Sequence, residues 1–238
     1  MLTVVIPAYE EEGVIAETIA TVRAHAAHRG WELEIVVAYS QGRDRTREVL
    51  ETVLAQCPDV RVVDTTAQFG KGGAVRSGML VGRGEVRCFI DADNGVSFDQ
   101  IEAALPLLEG CDIVIGSRYV AGGDPGRRSL ARTVLSRGGS FLMRLLLGLR
   151  YADTRAPLKV FRGAIAEELF SRLRLDGFGF DSELLFLADR YSYRVHELPV
   201  RYQQFENSTV RVPAAAIRSI FELVEIRWNW VRGRYGNV

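Results

Sequence analysis

Short runs of apolar, often β-branched residues alternate with longer amphipathic segments through about residue 117. The short runs have the composition of buried strands, and the longer segments repeat their apolar positions with the period of a helix. This alternation is typical of βαβ units and predicts an α/β fold with a doubly wound, mostly parallel sheet. Strands are predicted at 2–7, 32–37, 60–63, 86–91 and 113–116, and helices near 13–28, 44–56, 72–83 and 98–109.

The chain changes character after residue 120. Residues 121–126 form a turn-rich segment, and residues 127–147 interleave arginines with leucines in a basic amphipathic pattern. A second amphipathic segment starts at Pro213, a residue that suits the first turn of a helix. Such helices either lie on a membrane surface or pack their apolar side on the domain, and the pattern leaves both open. We therefore predict a main domain, 1–212, and a C-terminal amphipathic helix, 213–238.

The composition gives little indication of function by itself. The 30 basic and 30 acidic residues balance, so the charge gives no indication of a nucleic-acid partner. The three cysteines, Cys57, Cys88 and Cys111, are widely spaced, which indicates reduced, buried thiols. No apolar run approaches the roughly 18 residues of a spanning helix, and no signal peptide is evident. We expect a soluble, cytoplasmic protein, either free or peripheral at the inner membrane face.

Two carboxylates stand one residue apart at the end of the fourth predicted strand, in Asp91-Ala92-Asp93. Side chains at i and i+2 of an extended chain point the same way, so both carboxylates reach one small volume. Mg²⁺ or Mn²⁺ is commonly held by one or two carboxylates together with substrate phosphates. The alternative is a helix cap and an Asx turn. Because ligands bind at the carboxyl ends of strands in such sheets, the position favours a metal site.

A glycine-rich segment, residues 70–78, follows the third predicted strand and contains Lys71. It lacks the glycine and the hydroxyl residue that a P-loop requires, because Thr65 and Gly72 occupy those positions. It also stands after the wrong strand for a dinucleotide fingerprint. The remaining interpretations are a helix amino terminus at which Lys71 reaches an anionic group, or a tight turn with a solvated lysine.

Six motifs in order over residues 4–210 resemble the family-2 glycosyltransferases of GT-A fold. The subgroup they resemble includes dolichol-phosphate mannose synthase and dolichyl-phosphate glucosyltransferase. The resemblance rests on the order and spacing of the motifs rather than on any one of them. They are Val4-Val5-Ile6-Pro7-Ala8-Tyr9, Gly70-Lys71-Gly72-Gly73-Ala74-Val75-Arg76, Asp91-Ala92-Asp93, Gly116-Ser117-Arg118-Tyr119, Asp153-Thr154 with Lys159 and Phe161-Arg162, and Gly179-Phe180-Asp181-Ser182-Glu183-Leu184.

The resemblance implies a role for each matching residue. Lys71 would face the donor diphosphate, and Asp91 and Asp93, with Ala92 between them, would hold the metal ion that bridges it. Arg118 would contact a donor or acceptor phosphate, with a surface ion pair as the alternative. Asp153 and Glu183 would position or deprotonate the acceptor, although Asp181 and Glu183 also suit the amino end of a helix. The nucleoside pocket would be lined by Pro7, Ala8, Tyr9 and Glu11.

The sequence departs from the family pattern after the second predicted strand. Tyr39 and Ser40 stand where such enzymes usually have an acidic pair, so the identity of the donor does not carry over. Tyr39 is a candidate for stacking on a base, and Ser40 for a hydrogen bond to it. The polar segment 203–210 is a candidate lid over the donor.

Our leading hypothesis is an inverting, metal-dependent glycosyltransferase that uses Mg²⁺ or Mn²⁺. It would move a sugar from a nucleoside diphosphate sugar to polyprenyl phosphate at the cytoplasmic membrane face, alone or as a homodimer. The first alternative is the same chemistry on a soluble acceptor, such as a nucleoside or a secondary-metabolite precursor. The second is a domain that binds a nucleotide sugar without turnover.

Overall fold

Seven strands form one sheet in the computed structural model of the chain, in the order β3-β2-β1-β4-β6-β5-β7. The structure describes residues 1–65, 70–92, 98–124, 139, 143–155, 158–201 and 212–236, and only the backbone of 212–219. The strands are β1 Leu2–Ala8, β2 Leu33–Ser40, β3 Val60–Thr65, β4 Val86–Phe89, β5 Ile113–Ser117, β6 Lys159–Arg162 and β7 Val195–Pro199.

The helices that flank the sheet alternate with the strands as far as β5, and two helices follow β6. Their bounds are α1 Ile15–Arg29, α2 Thr46–Leu54, α3 Gly70–Val81, α4 Phe98–Ala104, α5 Gly163–Arg172, α6 Phe180–Arg190 and α7 Val212–Val231, with a 3₁₀ turn at Pro106–Glu109. The prediction of one helix over 98–109 is wrong at its end. Pro106 has no N–H to donate, so α4 ends at Ala104 and the 3₁₀ turn follows.

The direction of each strand determines which residues lie at the carboxyl edge of the sheet. Strands β1 to β4 are mutually parallel, as the sequence predicts, and β7 is parallel to β5. The exception is β6, which is inserted antiparallel between β4 and β5. Lys159, the first residue of β6, is therefore in register with Phe89 of β4 and Ile115 of β5. The insertion brings the amino end of β6 to the edge where the parallel strands end.

Both faces of the sheet are covered by apolar layers, which is the arrangement of a doubly wound fold. On one face Val4, Ile6 and Val37 pack with Ile19 of α1 and Ile101 of α4. The opposite face packs against α3, α5, α6 and the inner side of α7, and its fully buried aromatic side chains are Phe89, Phe161, Phe170, Phe180 and Phe186. The nearly continuous burial of β1, β2 and β5 explains their apolar runs in the sequence.

All three cysteines are free, and two of them are buried. Cys88 lies in β4 with no exposed surface, and burial raises the pKa of its thiol to about 12. Cys111 is also buried, while Cys57 is partly buried. These positions agree with the prediction of structural thiols.

The described residues contain no helix that is both long enough and apolar enough to cross a membrane.

Candidate functional site

The loops after β1 and β2 are fastened to each other at the carboxyl edge of the sheet. The backbone N–H of Glu11 donates to Thr46 Oγ1 at 2.8 Å, and that of Glu12 donates to Asp44 Oδ2 at 3.0 Å. In return, Glu12 Oε2 accepts from the N–H of Arg45 at 2.7 Å. These bonds fix the loop after β1, in which Tyr9 is 53% exposed. Tyr9 and the partly buried Glu11 therefore lie on the rim where the nucleoside pocket is predicted.

Other residues predicted for the donor pocket have their side chains in the core. Ala8, Tyr39 and Ala92 belong to the apolar layer that faces α1. The ring of Tyr39 is only 6% exposed and has the Arg47 guanidinium 5.6 Å from its centre, so it is not a surface on which a base stacks as the chain stands. Ser40 points to the other face, with its hydroxyl 2.7 Å from that of Thr65. The carbonyl of Ala92 accepts from Thr18 Oγ1 at 2.6 Å, which fixes the backbone next to Asp91.

Asp91 lies just after β4, and its carboxylate forms an ion pair with Lys71 Nζ. The two side chains are 27% and 25% exposed, so both reach the edge of the site. Asp93 lies outside the described residues, and within the described ones no cluster of three or more His, Cys, Asp or Glu side chains forms a metal centre. Mg²⁺ and Mn²⁺ take one or two protein carboxylates and complete their shells with phosphate and water. A partly exposed carboxylate at this edge fits the protein's share of such a site.

The glycine-rich segment forms the start of α3 and packs against the loop before α6. A Cβ on Gly72 would lie 2.7 Å from the carbonyl oxygen of Gly177 and 2.8 Å from Cβ of Phe180. Gly70 has a φ of +57°, and a Cβ added to it would lie 2.9 Å from the carbonyl oxygen of Asp176. The N–H of Gly73 donates to the carbonyl of Asp176 at 3.1 Å. The glycines thus allow two backbones to approach, which places Lys71 beside Asp91.

Arg118 and Asp153 form a bidentate pair at the end of β5. Arg118 donates from Nε at 2.6 Å, from Nη2 at 2.9 Å and from its backbone N–H at 3.1 Å to the Asp153 carboxylate. Asp153 is 3% exposed. Burial opposes its ionisation, but the bonds and charge of Arg118, assisted by Lys159, lower its pKa below the usual value. Asp153 is therefore an anion that orients Arg118 and a poor proton acceptor.

Lys159 is buried completely and pairs with Asp181. Its Nζ lies 2.7 Å from Asp181 Oδ1 and 5.6 Å from the centre of the Phe89 ring. A buried lysine is tolerated only with such a partner, because desolvation of an isolated charge is costly. The position of Asp181 suits a helix cap, yet α6 has no side-chain cap at its amino end. The pair instead ties the first turn of α6 to β6 beneath the site.

Glu183 is fully buried and accepts three sets of hydrogen bonds. Its carboxylate accepts from the N–H groups of Arg174 and Leu175 at 2.9–3.1 Å and from the Tyr235 hydroxyl at 2.6 Å. Burial raises its pKa, and the three bonds oppose that rise. The Glu183 carboxylate therefore joins α6, the preceding loop and the C-terminal segment.

The structure thus brings Lys71, Asp91, Arg118 and Asp153 to the edge that the sequence predicts. Sequence reasoning missed the pairing of Lys159 with Asp181. The available signal was a single lysine inside an apolar run, Leu158-Lys159-Val160-Phe161, because an unpaired charge does not persist there. Its partner could not be identified without the position of β6.

Comparisons with known proteins agree with this geometry. The model of the family described as glycosyl transferase family 2 matches residues 3–170. A dolichyl-phosphate beta-glucosyltransferase of Drosophila melanogaster is 33% identical over 222 residues, which cover 87% of this chain and 68% of that protein. An undecaprenyl-phosphate mannosyltransferase of Micrococcus luteus is 27% identical over 241 residues and is covered to 98%, as is this chain.

Solved structures share the fold. Glucosyl-3-phosphoglycerate synthase from Mycobacterium tuberculosis, crystallised with Mn²⁺, UDP and phosphoglyceric acid, aligns with a TM-score of 0.67 at 19% identity, over 95% of this chain and 78% of that one. Mannosyl-3-phosphoglycerate synthase from Rubrobacter xylanophilus aligns with a TM-score of 0.67 at 17% identity, over 100% of this chain and 76% of that one. At this identity the likeness identifies the GT-A fold and does not extend to the acceptor.

Proposed function

Because the chain belongs to glycosyl transferase family 2, we propose that this glycosyltransferase moves a sugar from a nucleoside diphosphate sugar to a polyprenyl phosphate. Two similar proteins support the acceptor class by their names, since one is a dolichyl-phosphate and the other an undecaprenyl-phosphate glycosyltransferase. The sugar and the base of the donor are left open, because Tyr39 and Ser40 replace the usual acidic pair.

The observation that carries the proposal is the state of the two candidate acceptor carboxylates. The Asp153 carboxylate accepts hydrogen bonds from Arg118, and its pKa is lowered. The Glu183 carboxylate accepts hydrogen bonds from two backbone N–H groups and from the Tyr235 hydroxyl. Neither is placed to take a proton from an acceptor hydroxyl. A phosphate monoester is already anionic and needs a cation to orient it rather than a base. Arg118, held rigidly by Asp153, supplies such a cation with the planar fork that suits phosphate.

On the donor side, the proposal assigns Asp91, and Asp93 with it, to holding Mg²⁺ or Mn²⁺. When bound, the metal ion would act as a Lewis acid that stabilises the charge on the departing nucleoside diphosphate. Lys71, now paired with Asp91, keeps a positive charge at the same edge. One in-line displacement by the acceptor phosphate would invert the configuration of the sugar, and no protein nucleophile is required.

The reaction can be tested by identifying the product. The protein is incubated with UDP-, GDP- and dTDP-sugars, Mn²⁺, and either undecaprenyl phosphate or 3-phosphoglycerate, and products are identified by mass spectrometry. We expect a glycosyl lipid phosphate from one donor class. Glycosylated phosphoglycerate with no lipid product would contradict the lipid acceptor while leaving the enzyme class intact.

Donor and metal binding are tested separately from activity by thermal shift. A ligand at a hundred times its dissociation constant stabilises a protein by about 2.7 kcal/mol, which is enough to rank the nucleotides. We expect the shift to require Mn²⁺ or Mg²⁺ and to be lost in Asp91→Asn. The control is Asp112→Asn, whose carboxylate is also partly buried and paired with a basic side chain, here Arg194, but lies at the opposite edge of the sheet. An equal shift in wild type and Asp91→Asn would contradict the assignment.

A further inference from the structure

The outer side of α7 exposes an apolar stripe that no other described element covers. Its four central side chains are 52–71% exposed and recur every three to four residues, so they share one side of the helix. Ile220, at the margin of the stripe, is 42% exposed. The opposite side is inserted into the core through Leu223 and Ile226. The central residues are Phe221, Val224, Trp228 and Val231.

The stripe is larger than scattered surface residues would produce. From position 220 to position 231 the helix rises roughly 16 Å. Contiguous apolar patches of this kind on a soluble protein mark a surface that another body covers. In α2, by contrast, Leu50 is buried, Val49 and Val53 are partly buried against the core, and only Leu54 is exposed. The exposure is therefore a property of the sequence of α7 and requires an occupant.

Positive charge surrounds the stripe. Arg227, Arg232 and Arg234 are exposed along residues 220–234, against one exposed acidic residue, Glu225. The Arg232 guanidinium stacks 4.4 Å from the centre of the Trp228 ring. Aromatic and aliphatic side chains flanked by arginines are typical of helices that lie in the interface of an anionic bilayer. A second copy of the chain would bring the same arginines together, which opposes self-association through this side.

The buried side of α7 reaches the loop that packs on the candidate site. Glu222, next to Phe221, lies against Gly179, where an added Cβ would be 2.9 Å from its Cβ. Phe178, the residue before Gly179, is 61% exposed. The same loop packs on the start of α3 at Gly72, one residue from Lys71. A surface that covers α7 and Phe178 therefore extends to the side of the molecule where Lys71 pairs with Asp91.

We infer that the outer side of α7, together with Phe178, docks on the surface of an anionic phospholipid bilayer. This inference rests on the proposed function, because a polyprenyl phosphate presents its phosphate at such a surface. The apolar side chains enter the acyl boundary, the arginines contact lipid phosphates, and the carboxyl edge of the sheet is held next to the headgroups. Docking then supplies the acceptor by proximity rather than by diffusion through water.

The first test measures flotation of the full chain with vesicles of phosphatidylcholine, with and without phosphatidylglycerol. We expect binding to the anionic vesicles and a loss of roughly tenfold or more in the variant Phe221→Ser/Val224→Ser/Trp228→Ser. The control Leu54→Ser/Leu80→Ser alters exposed apolar residues of α2 and α3 and should bind as wild type. Arg227→Gln/Arg232→Gln should weaken binding to anionic vesicles only. Melting temperatures show whether each variant is folded.

The second test separates this surface from the proposed reaction. Transfer is measured with undecaprenyl phosphate in vesicles and with a short, water-soluble prenyl phosphate. We expect the triple variant to lose activity with the vesicle acceptor and to keep it with the soluble one. If wild type uses neither acceptor but binds vesicles, the reaction is wrong and the docking surface stands. Wild type that does not bind anionic vesicles, a triple variant that binds equally, or a wild-type dimer that the triple variant dissociates without any vesicle binding would overturn the docking surface.

Discussion

Arg118 and Asp153 are the residues that fix the acceptor side of the proposed site. Both side chains are largely buried, with 12% of Arg118 and 3% of Asp153 exposed. The positive charge of Lys159 also stabilises the Asp153 carboxylate. Removal of either charge would leave the other uncompensated, which typically costs about 3–5 kcal/mol. The informative substitution therefore keeps the charge and changes only the geometry.

Arg118→Lys should reduce catalytic efficiency for the acceptor by roughly tenfold or more, because a lysine keeps the charge but cannot make the bidentate contact. The effect should appear in the acceptor KM and kcat, while the affinity for the donor, measured by thermal shift, stays unchanged. Arg23→Lys is the control, since Arg23 Nε also donates to an aspartate carboxylate, to both oxygens of Asp59, away from the site. Unchanged acceptor kinetics in Arg118→Lys would remove this residue from the proposed mechanism.

Glu34 is a second buried carboxylate that is paired with arginines, and it lies away from the candidate site, where it contributes to stability. It accepts from Thr3, from Arg61 and from the backbone and side chain of Arg83. Burial works against its charge, but these bonds lower its pKa from 4.5 to about 2. A lowered folded-state pKa contributes stability above the ordinary value, and this contribution is lost as the pH falls from 4.5 toward 2.

Glu34→Gln should therefore lower the free energy of unfolding at neutral pH by about 1–2 kcal/mol, a figure reduced for the solvent that screens the exposed arginines. The difference from wild type should shrink as the pH falls through that window, because the wild-type carboxylate is then protonated. Urea unfolding at several pH values measures both quantities. A difference that is independent of pH would show that the charge of Glu34 is not the cause.

At the scale of elements, the start of α3 and the loop before α6 act as one unit. The contact of Gly72 with Gly177 and Phe180 is joined by Arg76, which pairs with Asp176 at 2.7 Å and donates to the carbonyl of Leu173 at 3.2 Å. Because Lys71 lies in the same turn, the geometry of the donor side depends on this packing.

Gly72→Ala should destabilise the protein by about 1–3 kcal/mol, since the new methyl group meets a backbone oxygen that cannot move away cheaply. It should also weaken the thermal shift given by the donor, because α3 carries Lys71. Gly13→Ala serves as the control, as no atom lies within 4 Å of its added Cβ. Equal stability of the two variants would show that the loop can yield.

The elements also show how far the sequence predicts this structure. Strands β1 to β5 were predicted, because apolar runs mark strands that are covered on both faces, although only the first residue of β3 is fully buried. Strand β6 was not, since it has four residues with a charge at each end and no periodicity. The pairing of Lys159 with Asp181, and the attachment of Glu183 to Tyr235, depend on where β6 and α7 lie. Local pattern carries no information on contacts over such separations.

For the molecule as a whole, α7 is anchored on its inner side and at its end. The Tyr235 hydroxyl donates to Glu183. The backbone carbonyl of Tyr235 accepts from Arg172 at 2.8 Å and from the Tyr191 hydroxyl at 2.9 Å. Leu223 and Ile226 complete the attachment within the core. The outer stripe is thus presented in a fixed orientation relative to the carboxyl edge of the sheet.

Tyr235→Phe should lower stability by about 1–2 kcal/mol, because it removes one partner of a buried carboxylate. Activity with a water-soluble acceptor should be unchanged well below the melting temperature, since Glu183 has a structural role here. Tyr193→Phe, which loses a 2.6 Å bond to the partly exposed Glu168, should cost less. A loss of activity in Tyr235→Phe without a loss of stability would show that Glu183 positions the acceptor.

The central claim is that the acceptor brings its own negative charge, so that the enzyme needs a cation and no base. The most direct measurement compares initial rates of sugar transfer to a short, water-soluble prenyl phosphate and to the prenol of the same chain length, with the same donor and Mn²⁺. The account predicts transfer to the phosphate and none above background to the alcohol. Comparable rates on the two acceptors, or transfer to the alcohol alone, would contradict it.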